Sequence, residues 1–335
     1  MQYRQLGRSG LTVSRLILGS TMFGELMTEE QARAVLHRAW DLGIQTIDTG
    51  NVYAGSRAED IIGRLVAPRR HQVVICTKVG FRVGDDPADH AAALAGRLDH
   101  GARWAKGIAP SDQGLSRHHI MAAVEASLKR LQTDYIDLYQ IHRWDASVPI
   151  DETLRALDDL VRSGKVRYVG CSNARSWQLY EALWASDRND RVRFESMQVP
   201  YSMLDRSAEA DVLPACQHAN VGVIVFSALA GGALSGVHRE GIVPGTVLAQ
   251  RPGYQARFMN DSARLRLERF ESVCQRLKRA MPTLALAAVL QHGAVAAATV
   301  GVQNPVEFEA LVDAVERPLE ADHLAAVRAA FDESS

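Results

Sequence analysis

Four residues whose chemistry depends on one another stand at related positions in this 335-residue chain: Asp48, Tyr53, Lys78 and His142. Asp48 ends the run Thr46-Ile47-Asp48, and Tyr53 follows it in a loop. Lys78 ends Val73-Val74-Ile75-Cys76-Thr77-Lys78, and His142 ends Tyr135-Ile136-Asp137-Leu138-Tyr139-Gln140-Ile141-His142. A tyrosine hydroxyl, with a pKa of about 10 in isolation, donates protons poorly at neutral pH. A neighbouring ammonium favours the phenolate, and a carboxylate keeps that ammonium charged and in place. Acidifying the phenol a hundredfold would need roughly 2.7 kcal/mol of differential interaction, within the reach of one partly buried pair. An imidazole beside it can orient a carbonyl oxygen or share the proton. Such a set suits protonation of an oxygen that is becoming an alkoxide. It holds no nucleophile for the carbon, so the carbon must be attacked by something bound, most simply a hydride from a cofactor.

Each residue has a plainer reading: a turn cap for Asp48, solvent for Lys78, a satisfied rim histidine for His142. What joins them is their common phase at strand ends. In a parallel α/β barrel every strand delivers its C-terminal end to one face, where the chemistry sits. The chain reads as the elements of such a barrel. Residues 2–14 form a hairpin around Gly7-Arg8-Ser9-Gly10, suited to closing the barrel bottom. Strands follow at 15–19, 46–48, 73–78, 135–142, 166–170, 194–199, 221–226 and 296–300, each succeeded by at least one helix. Thr28 with Gln31, and Ser56 with Glu59, have capping-box spacing at two helix starts. Helices are expected at about 117–131, 151–163, 176–185, 207–219, 262–280, 283–292, 305–316 and 320–331. Eight βα units predict a (β/α)8 TIM barrel with an N-terminal β-hairpin and extra C-terminal helices, one domain over 1–335. Two long connections, 80–116 and 227–261, are expected as loops over the active site and cofactor. No GxGxxG follows the first strand, so the fingerprint of the open dinucleotide-binding fold is missing.

A net charge of −1 gives no reason to expect nucleic acid or an anionic membrane as partner, and no apolar run approaches a membrane span. Cys76, Cys171, Cys216 and Cys274 are scattered and form no metal-ligand pair, so no metal is expected and a cytoplasmic location is. Nothing in the chain specifies an oligomeric state.

Taken together, several stretches resemble the aldo/keto reductase superfamily over nearly the whole chain, in particular bacterial reductases with a long third βα loop. They are Asp48-Thr49-Gly50-Asn51-Val52-Tyr53 with Ala58-Glu59-Asp60-Ile61-Ile62-Gly63, Thr77-Lys78, Gln140-Ile141-His142-Arg143, 164–173, Gln198-Val199-Pro200-Tyr201-Ser202 and 227–236. The resemblance implies that Tyr53 donates the proton, Lys78 and Asp48 tune it, and His142 orients the substrate carbonyl. It assigns Ser172, Asn173 and Gln198 to the nicotinamide carboxamide and Tyr201 to stacking on the nicotinamide ring. Ser227, Leu229, Gly231 and Gly232 fall in the pyrophosphate loop, and Gly301, Gln303 and Glu307 in the adenosine-phosphate stretch.

Here the chain departs from the family pattern. Gln303 stands where a basic residue is common, two usually polar positions correspond to Glu307 and Leu311, and Gly236 is followed by Val237-His238 rather than a cation. Loss of a guanidinium weakens a 2′-phosphate site. NADP(H) is slightly favoured over NAD(H). Phe23, Trp144 and Arg143 are expected to line the substrate pocket. The expected activity is reduction of an aldehyde, ketone or sugar carbonyl, with a role in sugar metabolism open. The alternatives are an NAD-linked sugar or alcohol dehydrogenase running oxidatively, a cofactor-binding regulatory subunit, and a metal-dependent barrel hydrolase. The mixture of Lys and Tyr with the acidic strand ends disfavours the last.

Overall fold

A computed structural model describes residues 1–82, 109 and 111–332. The strands are β1 (Tyr3–Gln5), β2 (Thr12–Ser14), β3 (Leu16–Gly19), β4 (Thr46–Asp48), β5 (Val74–Val79), β6 (Ile136–Ile141), β7 (Val166–Ser172), β8 (Phe194–Pro200), β9 (Gly222–Phe226) and β10 (Val295–Val300). The helices among the described residues are α1 (Glu29–Asp41), α2 (Arg57–Val66), α3 (Arg117–Leu131), α4 (Ile150–Arg162), α5 (Ser176–Arg188), α6 (Val212–His218), α7 (Val247–Gln250), α8 (Pro252–Phe258), α9 (Asp261–Leu277), α10 (Met281–Leu290), α11 (Pro305–Glu316) and α12 (Ala321–Ala329). Strands β3 to β10 close into one parallel barrel in chain order, and β1 and β2 pair as a separate antiparallel hairpin. The expected (β/α)8 TIM barrel is therefore the fold. Most of the 80–116 stretch lies outside the described residues.

The chain divides into two compact units, Gly19–Arg33 with Thr46–Gln198, and Met1–Leu18 with Ala34–Gln45 and Val199–Ser335. In the first, parallel register carries the chemistry-bearing residues to the strand ends. Asp48 lies opposite Cys76, Lys78 opposite Gln140, and Ser172 opposite Gln198. Outer helices such as α4 bury one apolar stripe. In α4, Ile150, Leu154, Leu157 and Leu160 recur at helical spacing and are buried, and Gly164 in the left-handed region ends the helix. Helices α2 and α3 approach so closely that a Cβ at Gly63 would sit 2.3 Å from the Arg130 carbonyl oxygen.

One capping box forms and the other does not. The Thr28 amide donates to Gln31 Oε1 at 2.9 Å, and the Gln31 amide donates back to Thr28 Oγ1 at 3.3 Å. Ser56 instead has φ +77 and makes no side-chain cap. Its expected partner, Glu59, is fully buried, accepting from Thr77 Oγ1 at 2.6 Å and from Arg130 Nε at 2.8 Å. A cap is worth about 1 kcal/mol, whereas a buried ion left unpaired costs about 3–5 kcal/mol. The ion pair wins.

In the second unit, Leu6, directly after β1, is fully buried against the start of β9. A Cβ on Gly222 would lie 2.5 Å from the Gly7 nitrogen. Buried Arg15 donates to the carbonyls of Val295 at 2.7 Å, Ala296 at 3.0 Å and Leu290, closing the end of α10 onto β10. The 227–261 connection is more ordered than its glycine content suggests. It contains a 3-10 helix, Ala230–Ser235, followed by α7 and α8. The expected helix at 207–219 is broken into a 3-10 turn, Ser207–Ala210, and α6.

Candidate active site

Asp48, Lys78 and Tyr53 meet in the first unit as one hydrogen-bonded cluster. Lys78 Nζ lies 2.8 Å from each Asp48 carboxylate oxygen, 2.7 Å from the Thr49 carbonyl and 3.1 Å from Tyr53 Oη. Lys78 and Asp48 are buried. Burial alone would lower the Lys78 pKa, but Asp48 and Tyr53 outweigh it, and the pKa lies above the ordinary lysine value. An ion pair at 2.8 Å is worth roughly 6 kcal/mol at an effective dielectric of ~20. That is comparable to the several kcal/mol needed to desolvate each ion, and the added hydrogen bonds tip the balance. One of these is unexpected: Gln198 Nε2 donates to Asp48 Oδ1 at 3.0 Å, so a residue expected only at the cofactor also braces the carboxylate. Burial first, then the Asp48 and Asp137 carboxylates, raise the neighbouring Cys76 thiol against the opposing pull of Lys78.

A lysine ammonium offers three N–H donors and accepts nothing. Here they face the Asp48 carboxylate, the Thr49 carbonyl and the Tyr53 oxygen. Tyr53 Oη must therefore accept from Lys78, and its own proton points elsewhere. The backbone shapes this loop. Ala54 and Gly55 occupy the left-handed region directly after Tyr53 and turn the chain into α2.

His142 lies just beyond β6, its amide donating to the Val79 carbonyl at 2.7 Å. Its ring meets Tyr53 edge-on at 5.9 Å between centroids, and Phe81 likewise at 5.0 Å. The Arg143 guanidinium lies 4.9 Å above Phe81, half-buried, and burial lowers its pKa. Arg143 thus packs behind His142 as a cation over an aromatic face. Phe23 is fully buried. Its amide donates to the Ser20 carbonyl at 3.0 Å, and it forms a bridge with Met27. Trp144 is half-buried and touches Trp177.

Beside this cluster, Ser172 Oγ donates to the Gln198 carbonyl at 3.1 Å, and Asn173 Nδ2 donates to the His142 carbonyl at 3.0 Å. Asn173 is exposed with φ +55. Two amides and a hydroxyl at adjacent strand ends have the mixed donor and acceptor chemistry that a carboxamide requires.

In the second unit, Tyr201 is buried and its hydroxyl donates to Glu209 at 2.6 Å. Glu209 also accepts from Arg206 at 3.0 and 3.1 Å and from Arg328 at 2.8 Å. Partial burial would raise the Glu209 pKa, but these three donors hold it down at about 2. Burial first, then Glu209, push the Tyr201 phenol well above its ordinary value. The Ser227 hydroxyl lies 3.1 Å from Tyr254 Oη, and the Tyr254 ring covers Gly231, where φ is +67 and a Cβ would come within 2.5 Å of the ring. Only glycine fits beneath it. Gln303 donates to the Gly245 carbonyl at 2.9 Å. The Glu307 carboxylate accepts from the Gln303 amide at 2.9 Å and from Asn304 Nδ2 at 2.6 Å, lying over the first turn of α11. Glu209, Tyr254 and Trp177 escaped the sequence reading because no spacing links them to the residues they touch. Thr49 acts through its backbone, which no side-chain motif encodes.

The Aldo/keto reductase family model matches residues 15–332. This chain belongs to the aldo/keto reductase family. Among similar proteins, an uncharacterized oxidoreductase of Bacillus subtilis (strain 168) is 37% identical over 332 residues, covering 97% of this chain and 94% of the relative. A putative aryl-alcohol dehydrogenase of Schizosaccharomyces pombe is 37% identical over 311 residues, 87% of this chain and 85% of the relative. A versiconal hemiacetal acetate reductase of Aspergillus parasiticus is 37% identical over 244 residues, 70% and 69%. Family and relatives together support an oxidoreductase of carbonyl-reducing type. Among the described residues no helix is long and apolar enough to cross a membrane, and no group of three or more His, Cys, Asp or Glu is arranged to hold a metal ion.

Proposed function

We propose that this protein is an NAD(P)H-dependent carbonyl reductase that converts an aldehyde or ketone to the alcohol. The observation that carries this reading is the Lys78 ammonium 3.1 Å from Tyr53 Oη, itself fixed by Asp48. A reduced nicotinamide, when bound, would supply the hydride. Everything else is done by the chain. Tyr53 holds a proton at Oη toward the substrate oxygen. Lys78 stabilises the negative charge that Tyr53 acquires on giving that proton up, and Asp48 keeps Lys78 charged. His142 orients the carbonyl oxygen beside Tyr53. Gln198, donating to Asp48 through Nε2, has Oε1 left to accept from a carboxamide. Ser172 and Asn173 are its companions in that role. In the other unit Tyr201 is the stacking platform, and the loop through Ser227, Leu229, Gly231 and Gly232 is the pyrophosphate cradle. Gly301, Gln303 and Glu307 are assigned the adenosine end.

The position of Glu307 bears on cofactor choice. A carboxylate over the first turn of α11 opposes a 2′-phosphate at that helix N-terminus and suits a ribose hydroxyl. This moves the reading from NADP(H), slightly favoured on residue types, toward NAD(H). The same machinery runs in reverse as an alcohol dehydrogenase, the direction for which the relative from Schizosaccharomyces pombe is named. The test is fluorescence titration with NADH and NADPH, then loss of reduced-cofactor absorbance over a panel of aldehydes, ketones and sugars. Saturable binding with turnover is expected. Binding of neither cofactor would overturn the proposal.

A further inference from the structure

His238 stands at a place where the chain lacks an expected cation: Gly236 is followed by Val237-His238. Arg239, one residue on, does not make good that loss. Its Nη1 pairs with Glu271 at 3.0 Å, and its Nη2 lies 3.6 Å from Met281 Sδ. The His238 side chain instead packs against the glycine-rich loop and is 4% exposed. Its tautomer is fixed by one bond. The Val243 amide donates to Nδ1 at 3.2 Å, so Nδ1 bears no proton and Nε2 carries it. Burial lowers the His238 pKa, which favours this neutral ring. Nε2 is thus an N–H donor, buried and without a hydrogen-bond partner. A buried donor left unmet is rare in folded proteins and points to something that meets it. The Gly232 carbonyl does not, since it accepts from Ser235 Oγ at 2.6 Å. What Nε2 faces is the side of Gly232 that carries no side chain, where a Cβ would lie 3.3 Å away.

We propose that His238 is a diphosphate-binding residue, its Nε2–H donating to a phosphate oxygen of the dinucleotide across Gly232 as a neutral donor in place of a cation. This rests on the NAD(P)H-dependent reading, in which Ser227, Leu229, Gly231 and Gly232 cradle that diphosphate. Gly231 and Gly232 lie at φ +67 and +108. Glycine moves among such angles without steric cost, so the segment over Nε2 can yield to admit a phosphate oxygen. The bond that forms has an ionised acceptor and is stronger than one between neutral groups. A lysine or arginine would add a long-range attraction that salt screens, whereas the imidazole N–H adds direction. His238 therefore reads where the diphosphate lies rather than how much charge the ligand carries.

Isothermal titration calorimetry tests this without turnover, using ADP-ribose and 2′-phospho-ADP-ribose on the wild type, His238→Asn and His238→Gln. An asparagine Oδ1 stands near the place of Nδ1 and keeps an acceptor for the Val243 amide, but the side chain stops short of Nε2. A glutamine amide nitrogen reaches the place of Nε2 and gives up that acceptor. For whichever ligand binds the wild type more tightly, His238→Asn should raise Kd about tenfold. His238→Gln should stay within about threefold of the wild type. A histidine that only braces Val243 gives the reverse order, and that order, or equal losses, would overturn the proposal. A measurement on the unaltered chain guards against misfolded variants. With histidine labelled by 15N, the His238 Nε2 proton resonance should move downfield as the ligand is added, and an unmoved resonance removes His238 from the site. Failure of the wild type to bind either ligand would sink the cofactor reading as well. Binding that ignores both substitutions removes only His238.

Discussion

Tyr53 and Tyr201 show how one side chain is given opposite characters in the two units. Tyr53 receives a hydrogen bond from the Lys78 ammonium, itself neutralised by Asp48. Tyr201 gives its hydrogen bond to the Glu209 carboxylate, itself held ionised by Arg206 and Arg328. A cation at the phenol oxygen stabilises the charge left when the proton departs, whereas an anion at the hydroxyl holds the proton on. Both clusters are ion pairs closed by a tyrosine, and only the order of charges differs. On the proposed reading the first releases a proton, whereas the second locks a ring in place.

The sharpest way to break this contrast is to remove each hydroxyl in turn. Tyr53→Phe should lower kcat by about 10²–10⁴-fold, with cofactor dissociation constants within about twofold. Tyr201→Phe should leave kcat within a few-fold. Equal losses in the two variants, read by steady-state kinetics, would erase the distinction. Next in size, Asp48→Asn leaves the Lys78 ammonium buried without a counter-charge and should destabilise the fold by about 3–5 kcal/mol, measured by urea unfolding. A change below 1 kcal/mol would mean that Lys78 discharges easily and lacks the fixed charge the contrast requires.

Glu209→Gln should lower stability by about 1.5–3 kcal/mol near neutral pH. Its folded pKa is depressed, so the stabilisation is present above the unfolded value of 4.5 and is lost as pH falls toward about 2. The gap between wild type and variant in thermal unfolding should therefore narrow below about pH 4.5; a constant gap would point to lost packing. The smallest effect expected is in cofactor choice. Gln303→Arg places a guanidinium beside Glu307 and should shift the ratio of catalytic efficiencies several-fold toward NADPH. An unchanged ratio would put Gln303 outside the adenosine site.

Much of the barrel was readable in advance because its signals are local. Short β-branched runs alternate with helical stripes, and Gly164 marks a helix end by chemistry that neighbours cannot easily override. Where a residue had two competing uses, local reasoning failed. Ser56 and Glu59 have the spacing of a cap, yet Glu59 answers to Arg130 and Thr77, which are distant in sequence. In the glycine-rich connection after β9, Tyr254 of α8 returns to cover Gly231, a contact that no local pattern encodes.

Residue order alone determined the βα alternation, the strand ends on which Asp48, Lys78 and His142 fall, and membership of the family. These follow from periodicity and from motif residues close along the chain. Tertiary structure decided which groups meet: Gln198 hydrogen-bonded to Asp48, Arg328 to Glu209, and the Trp177 ring against Trp144. Such pairings turn on ångström distances between segments tens of residues apart, set by packing and desolvation that no short stretch encodes.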